Sequence, residues 1–494
     1  MHQTHKEGSY TFIAIAFFAL LFTVVSLYFI GSPYSSFFNA DGAVQVIMAH
    51  RFSFEHDFYF WGQNRLGSLL PLLTSPMVWA GLKPLYATIL MNYLFLIGSG
   101  LTASKFVSSP LLKIFILSIF LIPCHSNFFM VQLSQPYSLQ IFLLLIPLLF
   151  FYHDIQKDER FTPLKMVFSG ICFAAAVYVH DASIIYVALY FAMMWQFNMI
   201  GFLRNNVLET CSLLVPFGLL LGYVLYRKLG TPDFSGYSDQ SINHWSVFLE
   251  SFFSWTQIFN HSPIGIIKSW GILESLVLIC LTASALVLSA ISIKKHGINK
   301  GNVIPVFLML NAIIFYTAVC FSGWYVQNYS DGRYMIFPVC MMLLATTIFL
   351  GQKKNFIPTI RYVGVGLLVV LFATSVASTL RPKHTDGLQL TFSQRTEIEK
   401  IRGTGIIGNY WFSYPFSAYN PASIASTPHD KDFARSHIMV EKVLLKDSIY
   451  LVKNGWLEEF KDTIPQFGVT LIRVKPYKTI QIGNAHLSLY QKSI

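Results

Sequence analysis

Apolar stretches of about twenty residues, nearly free of charge, recur along the first 380 residues and constrain the fold more than any other feature. A helix of that length crosses a hydrocarbon core roughly 30 Å thick while satisfying every peptide group within the segment. Reading for such runs gives about eleven spans, at 11–31, 84–107, 113–130, 133–152, 165–179, 182–203, 207–226, 270–293, 303–323, 333–351 and 360–380. The stretch 66–82 is apolar but interrupted by Pro71 and Pro76, and is expected to be re-entrant or interfacial. Composition agrees: only 12% of the 494 residues are charged, about half the usual share of a soluble domain, roughly 25%. The 45 Phe and 25 Tyr suit bilayer and interfacial positions. A cytosolic enzyme, a disordered chain and a disulfide-rich secreted module are excluded.

The charges also divide the chain. Residues 381–494 carry 15 basic and 10 acidic side chains, against 20 and 14 in the first 380. The expected organisation is an α-helical polytopic membrane region, 1–380, followed by a small extracytoplasmic α+β domain, 381–494. Thirteen of the 20 basic residues in the membrane region fall at one set of span ends, from Lys6 and Lys105 to Lys354 and Arg361. The positive-inside bias then puts the N-terminus in the cytoplasm and, with an odd number of spans, the C-terminal domain outside. Gly31-Ser32-Pro33-Tyr34 is no small-residue cleavage site, so the first span reads as a retained anchor. The long outer loops are 32–83 and 227–269. The net charge of +11 reflects bilayer-flanking Lys and Arg, and no basic-aromatic or zinc-finger pattern points to nucleic acid. No phosphate-cradling glycine motif faces the inner side. The cysteines (Cys124, Cys172, Cys211, Cys280, Cys320 and Cys340) lie in or beside apolar segments, and are expected to be small packing residues.

Chemistry concentrates in the first outer loop. Phe37-Phe38-Asn39-Ala40-Asp41-Gly42 follows the first span, and Glu55-His56-Asp57 leads into Phe58-Tyr59-Phe60-Trp61-Gly62-Gln63-Asn64-Arg65-Leu66-Gly67-Ser68. An acid beside a bilayer-embedded helix end must be solvated or paired. Two acidic groups and an arginine among aromatic rings therefore mark a candidate site, although Asp41 alone also fits a helix-capping role. Further along, His180-Asp181 occupies an outer turn, as a polar cap or a phosphate contact. Cys124-His125-Ser126-Asn127 is another outer helix end. Asp331-Gly332-Arg333-Tyr334 opens the tenth span, with Arg333 an interfacial anchor or a phosphate ligand, and Glu274 is placed to pair with Lys268. Asn260-His261-Ser262 and Asn328-Tyr329-Ser330 are outward-facing sequons.

An acid after the first span, a second acid further on and the aromatic-Gly62-Gln63 element resemble the GT-C glycosyltransferases. More narrowly, they are similar to the bacterial relatives of protein O-mannosyltransferases and aminoarabinose transferases. Arg333-Tyr334 ahead of Pro338 and Tyr410-Trp411-x-x-Tyr414 in the tail fit the same group. The specific motifs cover about residues 37–76, whereas the architecture extends over the membrane region. The chain departs from the aminoarabinose transferases in lacking a Lys-Pro-Pro-like element and in having Asn39-Ala40-Asp41 in place of an Asp-Glu pair. The resemblance implies transfer of a sugar, with inversion, from a polyprenyl-phosphate donor to a glycan, lipid or protein acceptor outside the membrane. Asp41 would be the base, with Glu55 and Asp57 as further catalytic acids. Arg65, Gln63, His180, Asp181, Arg333 and Tyr334 would contact donor phosphate or substrate. A divalent metal is not favoured, because no paired ligand spacing such as HxxxH occurs. Other readings are a transporter or flippase, and a polymerase or ligase of lipid-linked glycans. Acids gathered at one face and the absence of an internal repeat weigh against transport.

In the tail, 391–402 and 455–463 read as helical. Gly405–Trp411, Ser448–Val452, Val469–Val474, Thr479–Ile482 and His486–Tyr490 read as strands, with a turn at Pro476-Tyr477-Lys478. No G-x-S-x-G element is present, and the tail is expected to cover the membrane site or bind acceptor.

Overall fold

The structure, a computed structural model, describes residues 2–35, 38–122, 128–131, 133, 136–157, 161–196, 207–231, 245, 248–249, 268–323, 325, 332–352, 358–379 and 387–493. Residues 123–127, most of loop 227–269, both sequons and Asp331 lie outside them. The side chains of Lys268, Glu274 and Arg333 also lie outside the description.

The apolar runs form helices whose starts are written locally. Proline occupies the first turn of α4 (Pro84–Ala103), α5 (Pro110–Leu121) and α7 (Pro163–Val179). There the missing N–H has no intrahelical partner to lose. Preceding them are α1 (His2–Ser26), α2 (Ala40–His50) and α3 (Leu69–Trp79), with α6 (Tyr137–Lys157) between α5 and α7. After them come α8 (Ser183–Gln196), α9 (Val207–Gly230), α10 (Lys268–His296), α11 (Val303–Phe321), α12 (Ile336–Gly351) and α13 (Pro358–Thr379). Each of the eleven apolar runs overlaps one of these helices. Among the described residues four are long and apolar enough to cross a membrane: Pro84–Phe106, Tyr137–Lys157, Val207–Gly230 and Val303–Phe321. Exposed Leu208, Val215, Leu219, Leu225 and Leu229 on α9, with Phe17, Leu20 and Val24 on α1, point to a membrane protein. Pro-interrupted α3 is 11 residues long, about 16 Å, too short to span.

Helix α4 is the hub of the first half, packing on α3, α5 and α6. Several polar groups inside the bundle are paired, as an apolar interior favours. Ser26 Oγ and Tyr93 Oη tie α1 to α4 at 2.8 Å, and Asn92 Oδ1 accepts from Ser138 Oγ at 2.5 Å. Gln140 Nε2 donates to Ser183 Oγ at 2.7 Å. Fully buried Asp154 is paired with Lys165 at the α6–α7 junction. Helices α7 and α9 pack intimately, with Gly170 against the carbonyl of Leu213.

The tail begins with short helical turns over 392–401. It then folds into one mixed sheet made of β1 (Gly405–Gly408), β2 (Ala425–Pro428), β3 (Ile449–Lys453), β4 (Thr463–Gln466), β5 (Val469–Arg473), β6 (Thr479–Ile482) and β7 (Ala485–Lys492). The order is β2-β1-β3-β7-β5-β4, with β6 also on β7. β1 is parallel to β2 and β3; the remaining pairs are antiparallel. The crossovers are α14 (Tyr410–Tyr419) and α15 (His437–Leu444). Asn409 caps α14 by accepting from the Phe412 amide at 3.0 Å, and Ser436 caps α15.

Two expectations for the tail are corrected. The strand at 405–411 stops at Gly408, because the Asn409 cap turns the aromatic run into α14. The segment expected to be helical at 455–463 is turn and bend, with β4 starting at Thr463. Strands β2 and β4 and helix α15 were not anticipated, since ASTP, TIPQ and HIMVEKVL carry weak periodic signals.

One face of the sheet packs Ile406, Val452 and Leu487 into a small core of the tail itself. The other contributes Ile407, Ile449 and Leu451 to the same cluster as Ala40, Val44 and Phe38. Helix α14 lies on α2, and Tyr419 stacks on Tyr34 at 5.7 Å while its hydroxyl donates to the Pro33 carbonyl. The C-terminal sheet region and the helical part therefore share a core.

Gly170→Val is expected to destabilise the fold by roughly 1–3 kcal/mol, because its side chain must displace the α9 backbone rather than a flexible group. An unchanged thermal melt of the purified variant in detergent would contradict this packing.

Candidate functional site

Asn39, the N-cap of α2, accepts from the Gly42 amide at 3.0 Å and so fixes Asp41 in the first helical turn. A helix start favours a negative group, which accounts for an acid there but not for its burial. Asp41 is only 5% exposed. Its Oδ1 accepts from the Tyr410 hydroxyl at 2.5 Å, and the Arg435 guanidinium lies 3.7 Å away. Both partners belong to the tail.

Arg435 is itself held by rings. Its guanidinium carbon lies 4.7 Å from the Tyr410 ring centroid, 5.1 Å from Phe433 and 5.3 Å from Phe60. Cation–π contacts fix the orientation of a desolvated arginine without neutralising it. Asp432 sets the geometry beneath, accepting from the amides of Tyr410 and Phe433, each at 2.7 Å. These residues sit at the carboxyl ends of parallel strands β1 and β2, the edge where open α/β sheets place ligands. Burial holds the Tyr410 phenol far above its ordinary value, so it remains the proton donor to Asp41.

Loop 52–68 forms the adjoining wall. Phe60 N donates to Leu66 O at 2.8 Å and Ser68 N to Phe58 O at 3.2 Å, closing a short hairpin with Gly62 at φ +75°. A side chain on Gly62 would press on Phe433 and Arg435, so a left-handed glycine is needed where loop meets tail. Gly67 abuts the Tyr178 carbonyl, and the Tyr178 hydroxyl donates to Phe58 O. Arg227, at the end of α9, grips the carbonyls of Phe54 and Glu55.

Between this loop, the end of α9 and α15 lies a cavity of about 1040 Å³. Glu55, Asp57 and Gln63 line it, as do Trp61, His50 and Arg435. Asp41 does not, but Arg435, which does, lies 3.7 Å from it.

The expected site residues thus separate. Asp57 is buried and serves the loop, accepting from Trp61 Nε1 at 2.6 Å and Ser53 N at 2.8 Å. Glu55 is exposed at the rim beside His56. His180 stacks on Tyr137 and accepts from the Ala182 amide. Its pKa is lowered chiefly by burial, with Arg65 nearby adding to this and Asp181 opposing it. Asp181 pairs with Lys228 at 3.1 Å, which fastens the α7–α8 turn to α9. Arg65, His180 and Asp181 form a group apart from Asp41 and do not line the cavity. Tyr334 packs edge-on against Tyr325, and the backbone of Arg333 lies in the 3-10 turn before α12. Arg435 was missed, and a lone arginine in Asp432-Phe433-Ala434-Arg435 gives no signal of its destination. Tyr410 had one, in the Tyr410-Trp411-x-x-Tyr414 aromatic run.

Among the described residues no group of three His, Cys, Asp or Glu side chains is placed to hold a metal ion. No protein-family model matches the sequence, and comparison with curated proteins finds no match.

Burial holds the Asp57 carboxyl above its usual value, opposed by the Trp61 and Ser53 hydrogen bonds. Its native state then binds a proton more tightly than the unfolded chain. That contribution to stability is complete below the ordinary Asp value and is lost as pH rises through the raised one. Asp57→Asn is expected to flatten the stability–pH profile in that window, and parallel melting profiles for the two proteins would exclude Asp57 as the titrating group.

Proposed function

We propose that the chain is an integral membrane glycosyltransferase of the GT-C kind, using a polyprenyl-phosphate sugar at the outer face of a plasma membrane. About eleven spans of the required length, with the N-terminus cytoplasmic and residues 381–494 outside, form the topology of this reading. The observation that carries it is the Asp41 assembly. An acid from the first outer loop is buried at the seam with the tail, a phenol and a guanidinium are aimed at it, and a cavity large enough for saccharides adjoins it.

The chemistry follows from the donor. Activated nucleotide sugars are made inside, so a site outside draws on a sugar carried by lipid. An acceptor hydroxyl gives its proton to the Asp41 carboxylate as its oxygen attacks the anomeric carbon. The bond from that carbon to the phosphate oxygen breaks with inversion, and a phosphodiester becomes a monoester that carries the extra negative charge. A preorganised guanidinium matches that phosphate and stabilises the charge as it develops. Among the described residues Arg435 is the cation that both reaches Asp41 and lines the cavity, and it takes the part expected of Arg65 and Arg333. Tyr410 orients the base.

Asp41→Asn is expected to abolish transfer while membrane insertion persists. Tyr410→Phe should lower kcat by roughly ten- to a hundredfold, the scale of losing a positioning hydrogen bond. The assay is sugar transfer in membranes supplied with a polyprenyl-phosphate sugar. Full activity of the Asp41→Asn protein there sinks the base assignment.

A further inference from the structure

The cavity wall carries more positive charge than the proposed transfer requires. Arg51, Arg227, Arg435, Lys442 and Lys446 line it, against Glu55 and Asp57. Two of these cations have structural work. Arg227 holds loop carbonyls, and Arg435 faces Asp41. Asp57 is taken by Trp61 and Ser53. Arg51, Lys442 and Lys446 remain, and among the described residues none of the three has an acid within ion-pair distance. His50, on the same wall, has both ring nitrogens buried without a hydrogen-bond partner.

These groups face one another from separate elements, His50 and Arg51 from the end of α2 and Lys442 and Lys446 from α15 and the turn after it. Their closeness is felt. Lys442 is lowered mainly by burial and then by Arg51, with Asp57 opposing; His50 is lowered by burial, Arg51 and Lys442. Like charges held together at a concave surface repel until an anion lies between them. The same cavity presents the rings of Trp61 and Tyr226, flat apolar faces of the kind that contact sugars.

We infer that this cavity binds an anionic saccharide, one bearing carboxylate or phosphate groups, as the acceptor, with Arg51, Lys442 and Lys446 as its anion contacts. The inference rests on the glycosyltransferase reading for the word acceptor, and on the cation cluster for the charge. The negative group sits at the α2–α15 wall, and the sugar chain runs past Trp61 toward Arg435 and Asp41.

The test measures binding rather than transfer, on the full chain in nanodiscs. The probes are tetragalacturonate, neutral maltotetraose and a polyprenyl phosphate placed in the bilayer. Tetragalacturonate should bind about tenfold or more tightly than maltotetraose, with an affinity that falls as salt rises. Lys442→Gln and Arg51→Gln should each weaken the acidic probe by roughly tenfold and leave the neutral one unchanged. Lys442→Arg should retain binding, and Lys478→Gln, which removes an exposed charge away from the cavity, should have no effect. Melting curves identify any variant that fails to fold. Equal affinity for the acidic and neutral probes, no binding of the acidic one, or indifference to Lys442→Gln overturns the inference. A parallel loss of polyprenyl-phosphate binding in Lys442→Gln and Arg51→Gln also overturns it, since the cavity would then hold the donor. Failure of the transferase reading is seen separately, as transfer surviving in Asp41→Asn, and leaves these affinities as they are.

Discussion

A carboxylate removed from water costs several kcal/mol unless protein groups replace its hydration. Asp41 is almost fully buried, and the groups that compensate it, the Tyr410 hydroxyl and the Arg435 guanidinium, come from the other end of the chain. The tail must therefore dock on α2 for Asp41 to be tolerated where it is. The apolar contacts of α14 with α2 and the Tyr34–Tyr419 stack supply the area that keeps it there. Removing Arg435 would leave the Asp41 carboxylate in an apolar surround without its counter-charge, so docking and site geometry are one problem.

The loop that faces this assembly is rigid for equally specific reasons. Tyr178 pins the hairpin from below, Arg227 from the side, and the Asp181–Lys228 pair locks the helix ends that carry them. Asp57, expected as a further catalytic acid, and Asp181, expected as a substrate contact, both bond within this scaffolding. A carboxylate in a loop closes turns and pairs with lysines at least as readily as it does chemistry. Charge alone cannot separate the uses; the partners can.

Much of the helical half was legible because its signal is local. A run such as Val303–Phe321 states its own length and apolarity, and the prolines at 84, 110 and 163 mark helix starts. The tail was less so. Asn409 as a cap outweighed the β-propensity of Tyr410 and Trp411, turning an apparent strand into α14. Segment 455–463 lost its helix because Gly455 and the Trp456 indole, bonded to Val452 O, close a turn instead. Glu55, Asp57 and Gln63 line one cavity, whereas Asp41 does not and meets it only through Arg435. Arg65, His180 and Asp181 gather elsewhere.

By itself the sequence determined where apolar helices form, where charge collects and which acid follows the first of them, because each depends on neighbours within a few residues. Only the tertiary structure decided which groups surround that acid. Tyr410 lies 369 residues from Asp41, and no periodicity or spacing links them. Their meeting follows from the β1–α14–β2 crossover setting α14 on α2, which carries Tyr410 and then Arg435 to a carboxylate that needs them.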